Sequence, residues 1–214
     1  MSDKTMHFSA YLLLVFLWWT GISPYKRVNW RKTAVWWTLA VMVWYGAMDE
    51  YLQGYVGRMV DVKDFYANLF GTITALALLT AFSFWPALLI LAASLILIIA
   101  APSRVPLADE FPAVSATFHL FAYAAFTFLW LEYIKRRFSL IPPATKWLIA
   151  AAVLPILLLI TQQTLWHTIS TGLHHIDILS AIAAIVTVVI TCLTVEQIRK
   201  AKTTESSCLQ PGDF

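Results

Sequence analysis

The stretch HFSAYLLLVFLW, from His7 to Trp18, returns as HLFAYAAFTFLW, from His119 to Trp130. Six of its twelve positions are identical: His7/His119, Ala10/Ala122, Tyr11/Tyr123, Phe16/Phe128, Leu17/Leu129 and Trp18/Trp130. Offsets of 112 to 113 recur downstream, where Asp49-Glu50 falls on Gln162-Gln163 and Asp64 falls on Asp177. Similarity kept at one offset along a chain marks a duplicated unit. The first copy keeps its polar groups where the second has largely blunted them, so a site is expected to lean on the first half.

Composition sets the solvent. With 60% hydrophobic residues, 13% charged residues and ten Trp in 214 positions, the chain reads as an integral membrane protein without a soluble module. A spanning helix needs about 20 mostly apolar residues, and seven stretches qualify, at roughly 7–23, 33–52, 65–84, 86–101, 113–134, 146–165 and 176–197. The fourth is the shortest, about 24 Å long at 1.5 Å per residue. The N-terminal residues carry no basic region or cleavage site of a signal peptide, so the first helix is expected to stay in the mature protein.

Seven spans sort the basic residues cleanly. Eleven fall on one side: Lys26, Arg27, Arg31, Lys32, Lys135, Arg136, Arg137, Lys146, Arg199, Lys200 and Lys202. Only Lys4, Arg58, Lys63 and Arg104 fall on the other. The positive-inside rule then puts the N-terminus outside and the C-terminus in the cytoplasm. Most acidic residues lie opposite, on the outer side, and because carboxylates contribute little to topology this asymmetry reads as an outward-facing polar site.

The expected fold is therefore an all-α, polytopic membrane helix bundle of seven transmembrane helices, built as two parallel three-helix repeats joined by one short helix. Residues 1–84 form the first repeat, 85–112 a linker helix and outer loop, 113–201 the second, degenerate repeat, and 202–214 a polar disordered cytoplasmic tail. Because the second copy starts four crossings after the first, the two enter the membrane in the same direction, related by a pseudo-twofold along its normal.

The densest polar run is Asp49 to Gly71. Asp49 and Glu50 close the second helix and Gln53 follows one turn on, so three polar heads gather at the outer rim. Arg58 lies past a turn permitted by Gly54 and Gly57. Asp64, Asn68 and Gly71, at spacings of four and three, share one stripe of the third helix. Polar groups in an apolar span are costly to expose to lipid, so Asp64, Asn68, His7 and His119 are expected to face protein or a wet cavity. A bland reading stands beside this one: a helix-end charge network, a helix cap, an interhelical hydrogen bond, and histidines that merely pack against carboxylates.

The run Lys4-Thr-Met-His7 followed by Ala10-Tyr11, then Asp49-Glu50 with Gln53, Gly57-Arg58, Asp64, Asn68 and Gly71, resembles the VanZ-like family of small bacterial membrane proteins. The family's founding member is linked to low-level resistance to the glycopeptide antibiotic teicoplanin, so the resemblance implies the cell envelope and the bacterial cytoplasmic (inner) membrane. It covers the first three helices. In the second copy His119, Tyr123 and Asp177 match, while Gln162, Gln163, Thr171, Ala181 and Ala184 replace the expected Asp, Glu, Arg, Asn and Gly.

Two functional classes follow. In one, an outer cleft lined by Lys4, His7, Tyr11, Asp49, Glu50, Gln53, Arg58, Asp64, Asn68 and His119 binds an anionic lipid or a lipid-linked, glycopeptide-related envelope precursor, with no reaction assigned. In the other, a noncatalytic accessory membrane protein uses the same groups to hold its bundle together or dock a partner. Membrane lipids are the expected partners. Nucleic acid is not, since the net charge is +3 and topology accounts for the basic residues. No cofactor is expected, because phosphate-loop, CxxC, GxSxG and HExxH patterns are absent. No metal is expected either, since adjacent His174 and His175 cannot both point into one site from a regular helix. Cys192 and Cys208 read as free cytoplasmic thiols.

Overall fold

The computed structural model describes residues 3–57, 61–100, 112–138, 145–169 and 175–208. Among them are seven α-helices and no strand: α1 (Asp3–Ile22), α2 (Thr33–Tyr55), α3 (Val62–Ala81), α4 (Phe84–Ala100), α5 (Pro112–Phe138), α6 (Thr145–Ile169) and α7 (His175–Cys208). The seven apolar stretches are the seven helices. Five of them, α1, α3, α5, α6 and α7, are long and apolar enough to cross a membrane, the make-up of a multi-pass membrane protein. α4 is apolar but shorter. α2 is long, but Trp36, Trp37, Trp44, Tyr45 and Tyr51 on its exposed surface and Asp49-Glu50 near its end make it the least hydrocarbon-like.

The chain divides into two compact units, 1–105 and 106–214. In the first, α1 packs chiefly on α3, with α2 against both and α4 against α1 and α3. Leu12, Val15, Phe16 and Trp19 of α1 meet Ala75, Leu76 and Leu79 of α3, Val35 and Met42 of α2, and Ala87 and Leu91 of α4 in one core. The helix expected to be a linker is thus a fourth member of the first unit: Phe84 at its start packs on Phe16, with ring centroids 5.6 Å apart. A uniformly apolar helix has no polar face to reveal which side it buries.

Two glycines have specific work in the first unit. Gly57 takes φ +78°, a left-handed conformation that ends α2 just past Val56, whose N–H bonds Gln53 O at 3.1 Å. Gly71 lies against the backbone of α1, where an added Cβ would collide with the Phe8 carbonyl oxygen. That close approach holds α1 and α3 together one turn away from Asn68.

In the second unit α5 packs chiefly on α7, and α6 lies against both. Leu131, Trp147 and Ala151 form one buried cluster there, with Val188, Val189, Cys192 and Leu193 partly buried around them. α7 continues to Cys208, through residues 202–208 that composition assigns to a polar tail. The rest of that tail, 209–214, lies outside the described residues, as do Arg104 and most of the outer loop.

Candidate functional site

The first unit gathers its polar side chains around one imidazole. On α3 the buried residues run Asp64, Asn68, Gly71, Thr72, Ala75, a stripe at spacings of four and three that turns the expected polar face toward α1. On α2 they run Met42, Gly46, Glu50, so Glu50 points inward while Asp49 stands on the shoulder of the helix, its side chain 37% exposed. On α1 the inward residues are His7 and Tyr11, one turn apart.

His7 Nδ1–H donates to Asn68 Oδ1 at 3.1 Å. The same nitrogen lies 3.9 Å from Glu50 Oε1 and 4.0 Å from Asp49 Oδ2, and Nε2 lies 3.9 Å from Asp64 Oδ2. Carboxylates therefore flank both ring nitrogens, each just beyond hydrogen-bond length. Lys4 Nζ stands 3.9 Å from Asp64 Oδ1 and 3.4 Å from Asp61 Oδ2. Asp61, rather than Asp64, caps α3: its carboxylate accepts from Lys63 N–H at 2.9 Å. That backbone hydrogen bond, aided by Lys4 and Lys63, holds the Asp61 carboxyl below the ordinary carboxylate range.

Several buried polar atoms at this centre have no hydrogen-bond partner: Glu50 Oε1 and Oε2, Asp64 Oδ1, Asn68 Nδ2 and the Tyr11 hydroxyl. Asn68 is 1% exposed and Glu50 5%, a degree of burial at which unmet polar groups are costly. One ligand atom each from His7, Asp49 and Glu50 lie within 4.8 Å of one another, and so do one each from Asp3, His7 and Asp64. Imidazole and carboxylate are both good ligands for divalent cations.

The structure thus brings together His7, Asp49, Glu50, Asp64 and Asn68, with Lys4 at the rim and Tyr11 beneath. Tyr11's hydroxyl and Asn68's Nδ2 lie 3.6 and 3.7 Å from where Gly46 would carry a Cβ. Gln53 is only half-buried, and among the described residues its side chain bonds none of these groups. Arg58 lies outside the described residues, as do Thr171 and His174. Asp3 and Asp61, absent from the sequence-derived set, join it at the helix starts; their signal was only position, beside Lys4 and ahead of the polar stripe.

His119 belongs to a network of its own. Its Nδ1–H donates to Ser115 O at 2.8 Å, with Asp177 Oδ1 3.6 Å away. Ser115 Oγ donates to Asp177 Oδ2 at 2.9 Å. On the other edge of the ring Gln162 Nε2–H donates to His119 Nε2 at 2.7 Å, and Gln162 Oε1 accepts from the Tyr123 hydroxyl at 2.6 Å. These partners all lie within the second unit, and the chain of bonds closes. The side chain that meets the imidazole from α6 is Gln162, while Gln163 is only half-buried. Gln162 therefore takes, within its own unit, the part that Glu50 takes in the first: an offset of 112, one position from the pairing of Gln162 with Asp49 that a constant 113 gives.

No protein-family model, curated protein or solved structure matches this chain.

Proposed function

We propose that this is a VanZ-like, duplicated membrane protein of the bacterial cell envelope whose first unit binds an anionic, hydroxyl-bearing lipid headgroup from the outer face of the cytoplasmic membrane. In this reading α2 and α4 complete a seven-span bundle, the two units are parallel repeats, and the basic-residue asymmetry sets the N-terminus outside. The observation that carries the binding reading is the set of buried, unpartnered atoms around His7. Native membrane bundles satisfy their interior polar groups. The carboxylate oxygens of Glu50 are acceptors waiting for hydroxyl donors, and Lys4, which faces Asp64 Oδ1 at 3.9 Å, supplies charge for a phosphate, with Arg58 as the second candidate cation. A phospholipid with a polyol headgroup and a polyprenyl-phosphate-linked sugar both carry this chemistry.

The accessory, noncatalytic reading has one observation in its favour: the second unit holds similar residue types in a closed, structural network. Native mass spectrometry of the protein extracted in mild detergent separates the two. Binding predicts a retained lipid, whose mass identifies it as phospholipid or polyprenyl-linked, lost from Glu50→Gln and Asn68→Ala and kept by Gln162→Ala. Retention unchanged in the first two variants, or no lipid in the wild type, supports the accessory reading instead.

A further inference from the structure

We propose that His7, Asp49 and Glu50, with Asn68 Oδ1 as a fourth donor, form a divalent-cation site at the outer end of α1, α2 and α3. Ligand atoms about 2.1 Å from a small divalent ion lie about 3.0–3.4 Å from one another in octahedral or tetrahedral order. His7 Nδ1 and Asn68 Oδ1 are already 3.1 Å apart, and the Glu50 and Asp49 oxygens stand at 3.9 and 4.0 Å from the same nitrogen. A contraction of less than about 1 Å brings the set to coordination distance.

Charge and burial point the same way. Glu50 is nine-tenths buried, neither of its oxygens accepts a hydrogen bond of good geometry although the Asp61 backbone N–H acts on the carboxyl, and it is aimed at His7 from the helix that also delivers Asp49. Among the described residues, neither Asp49 nor Glu50 has an ion pair with a lysine or arginine. The alternative set of Asp3, His7 and Asp64 is the weaker site, because the Lys4 ammonium already faces Asp64 and Asp61 from 3.9 and 3.4 Å.

Binding replaces the proton on His7 Nδ1 with the cation. The imidazole proton moves to Nε2, where Asp64 Oδ2 at 3.9 Å is the group that faces it, and the displaced hydrogen bond to Asn68 becomes an edge of the coordination shell. A carboxylate behind a ligating histidine fixes its tautomer and raises its basicity. Asp49, partly exposed, leaves the open side through which the ion enters and water completes the shell. One imidazole with carboxylate and amide oxygens suits Zn²⁺ or Mn²⁺. The ion takes the Glu50 oxygens that the lipid reading gives to hydroxyl donors, and because it needs no lipid its binding is read on delipidated protein.

The test uses tag-free, full-length protein, delipidated by detergent exchange, stripped with EDTA and dialysed against ZnCl₂ or MnCl₂. The expected result, read by elemental mass spectrometry with Mn²⁺ paramagnetic resonance as a second measure, is about one ion per chain with one of the two metals. Glu50→Gln and Asp49→Asn abolish it. Asp64→Asn weakens it about 10–100-fold, the range for a partner behind a ligand, and Asp177→Asn leaves it unchanged. Because Asp49 is partly exposed, its variant is expected to keep wild-type helix content by circular dichroism, which separates ligand loss from misfolding. A wild type that retains neither metal, or Asp49→Asn and Glu50→Gln proteins that bind as tightly as wild type, overturns the site.

Discussion

His7 and His119 begin the same twelve-residue pattern, yet their surroundings end differently. Around His119, Gln162 donates to one ring nitrogen and accepts from Tyr123, while Ser115 links the other edge of the ring to Asp177. Around His7, Glu50 faces the ring from the neighbouring helix at 3.9 Å, beyond hydrogen-bond length, and both its oxygens and the Tyr11 hydroxyl stay unpartnered. Asn68 adds an amide where the second unit has Ala181 on the buried face of α7. At the position facing the imidazole, the Gln162 amide donates and accepts at once whereas an ionised Glu50 carboxylate only accepts, and Ser115 closes the other edge of the ring in the second unit alone.

The largest expected effect comes from imposing the first unit's chemistry on the second. Gln162→Glu removes the donor to His119 and buries a carboxylate among atoms already satisfied, so unfolding in detergent should become easier by about 3 kcal/mol. A melting temperature unchanged by this substitution breaks the comparison. Next is Gly71→Ala, whose Cβ collides with the Phe8 carbonyl. Forcing α1 and α3 apart should cost about 2 kcal/mol, and a thermal melt of the purified variant reads it directly.

The reverse exchange has a smaller effect and the opposite sign. Glu50→Gln gives the first unit a donor for His7 and removes a buried charge, so stability should rise by about 1 kcal/mol. Denaturation at neutral pH in detergent checks this. The smallest effect belongs to Asp61. Its carboxyl is held low by Lys63 N–H and Lys4, so its charge stabilises the fold above the unfolded value of about 3.9 and that contribution is lost as pH falls through the lower folded value. Asp61→Asn keeps a good cap but loses the charge. Wild type and variant should differ slightly at neutral pH and converge in acid, as a melting series from about pH 6 to about pH 3 will read.

Much of this arrangement was legible in the sequence. Spacings of four and three put Asp64, Asn68 and Gly71 on one face of α3, and that face is the buried one. The apolar stretches named the seven helices found among the described residues. The start of α3 was placed three residues late, because Asp61, Val62 and Lys63 read as loop chemistry until Asp61 is seen capping the helix. Which member of Asp49-Glu50 turns inward was hidden, since adjacent residues on a helix end differ only by rotation about an axis that packing fixes. For the same reason a constant offset paired Gln162 with Asp49, whereas burial at Gly46 and Glu50 matches burial at Leu158 and Gln162. The partnership of α4 with α1 and α3 was likewise invisible, because its composition is apolar all round. The Asp3 and Asp61 contributions needed the close approach of α1 and α3 that Gly71 permits.

The central claim is that the first unit's open polar centre is completed from outside the chain, whereas the second unit completes its own. Thermal stability of wild type, Glu50→Gln and Gln162→Ala, each with and without added anionic lipid extract, tests it most directly. The account predicts that lipid raises the melting temperature of wild type and Gln162→Ala by similar increments, while Glu50→Gln starts higher and gains nothing. An equal lipid-dependent increment in Glu50→Gln would contradict it.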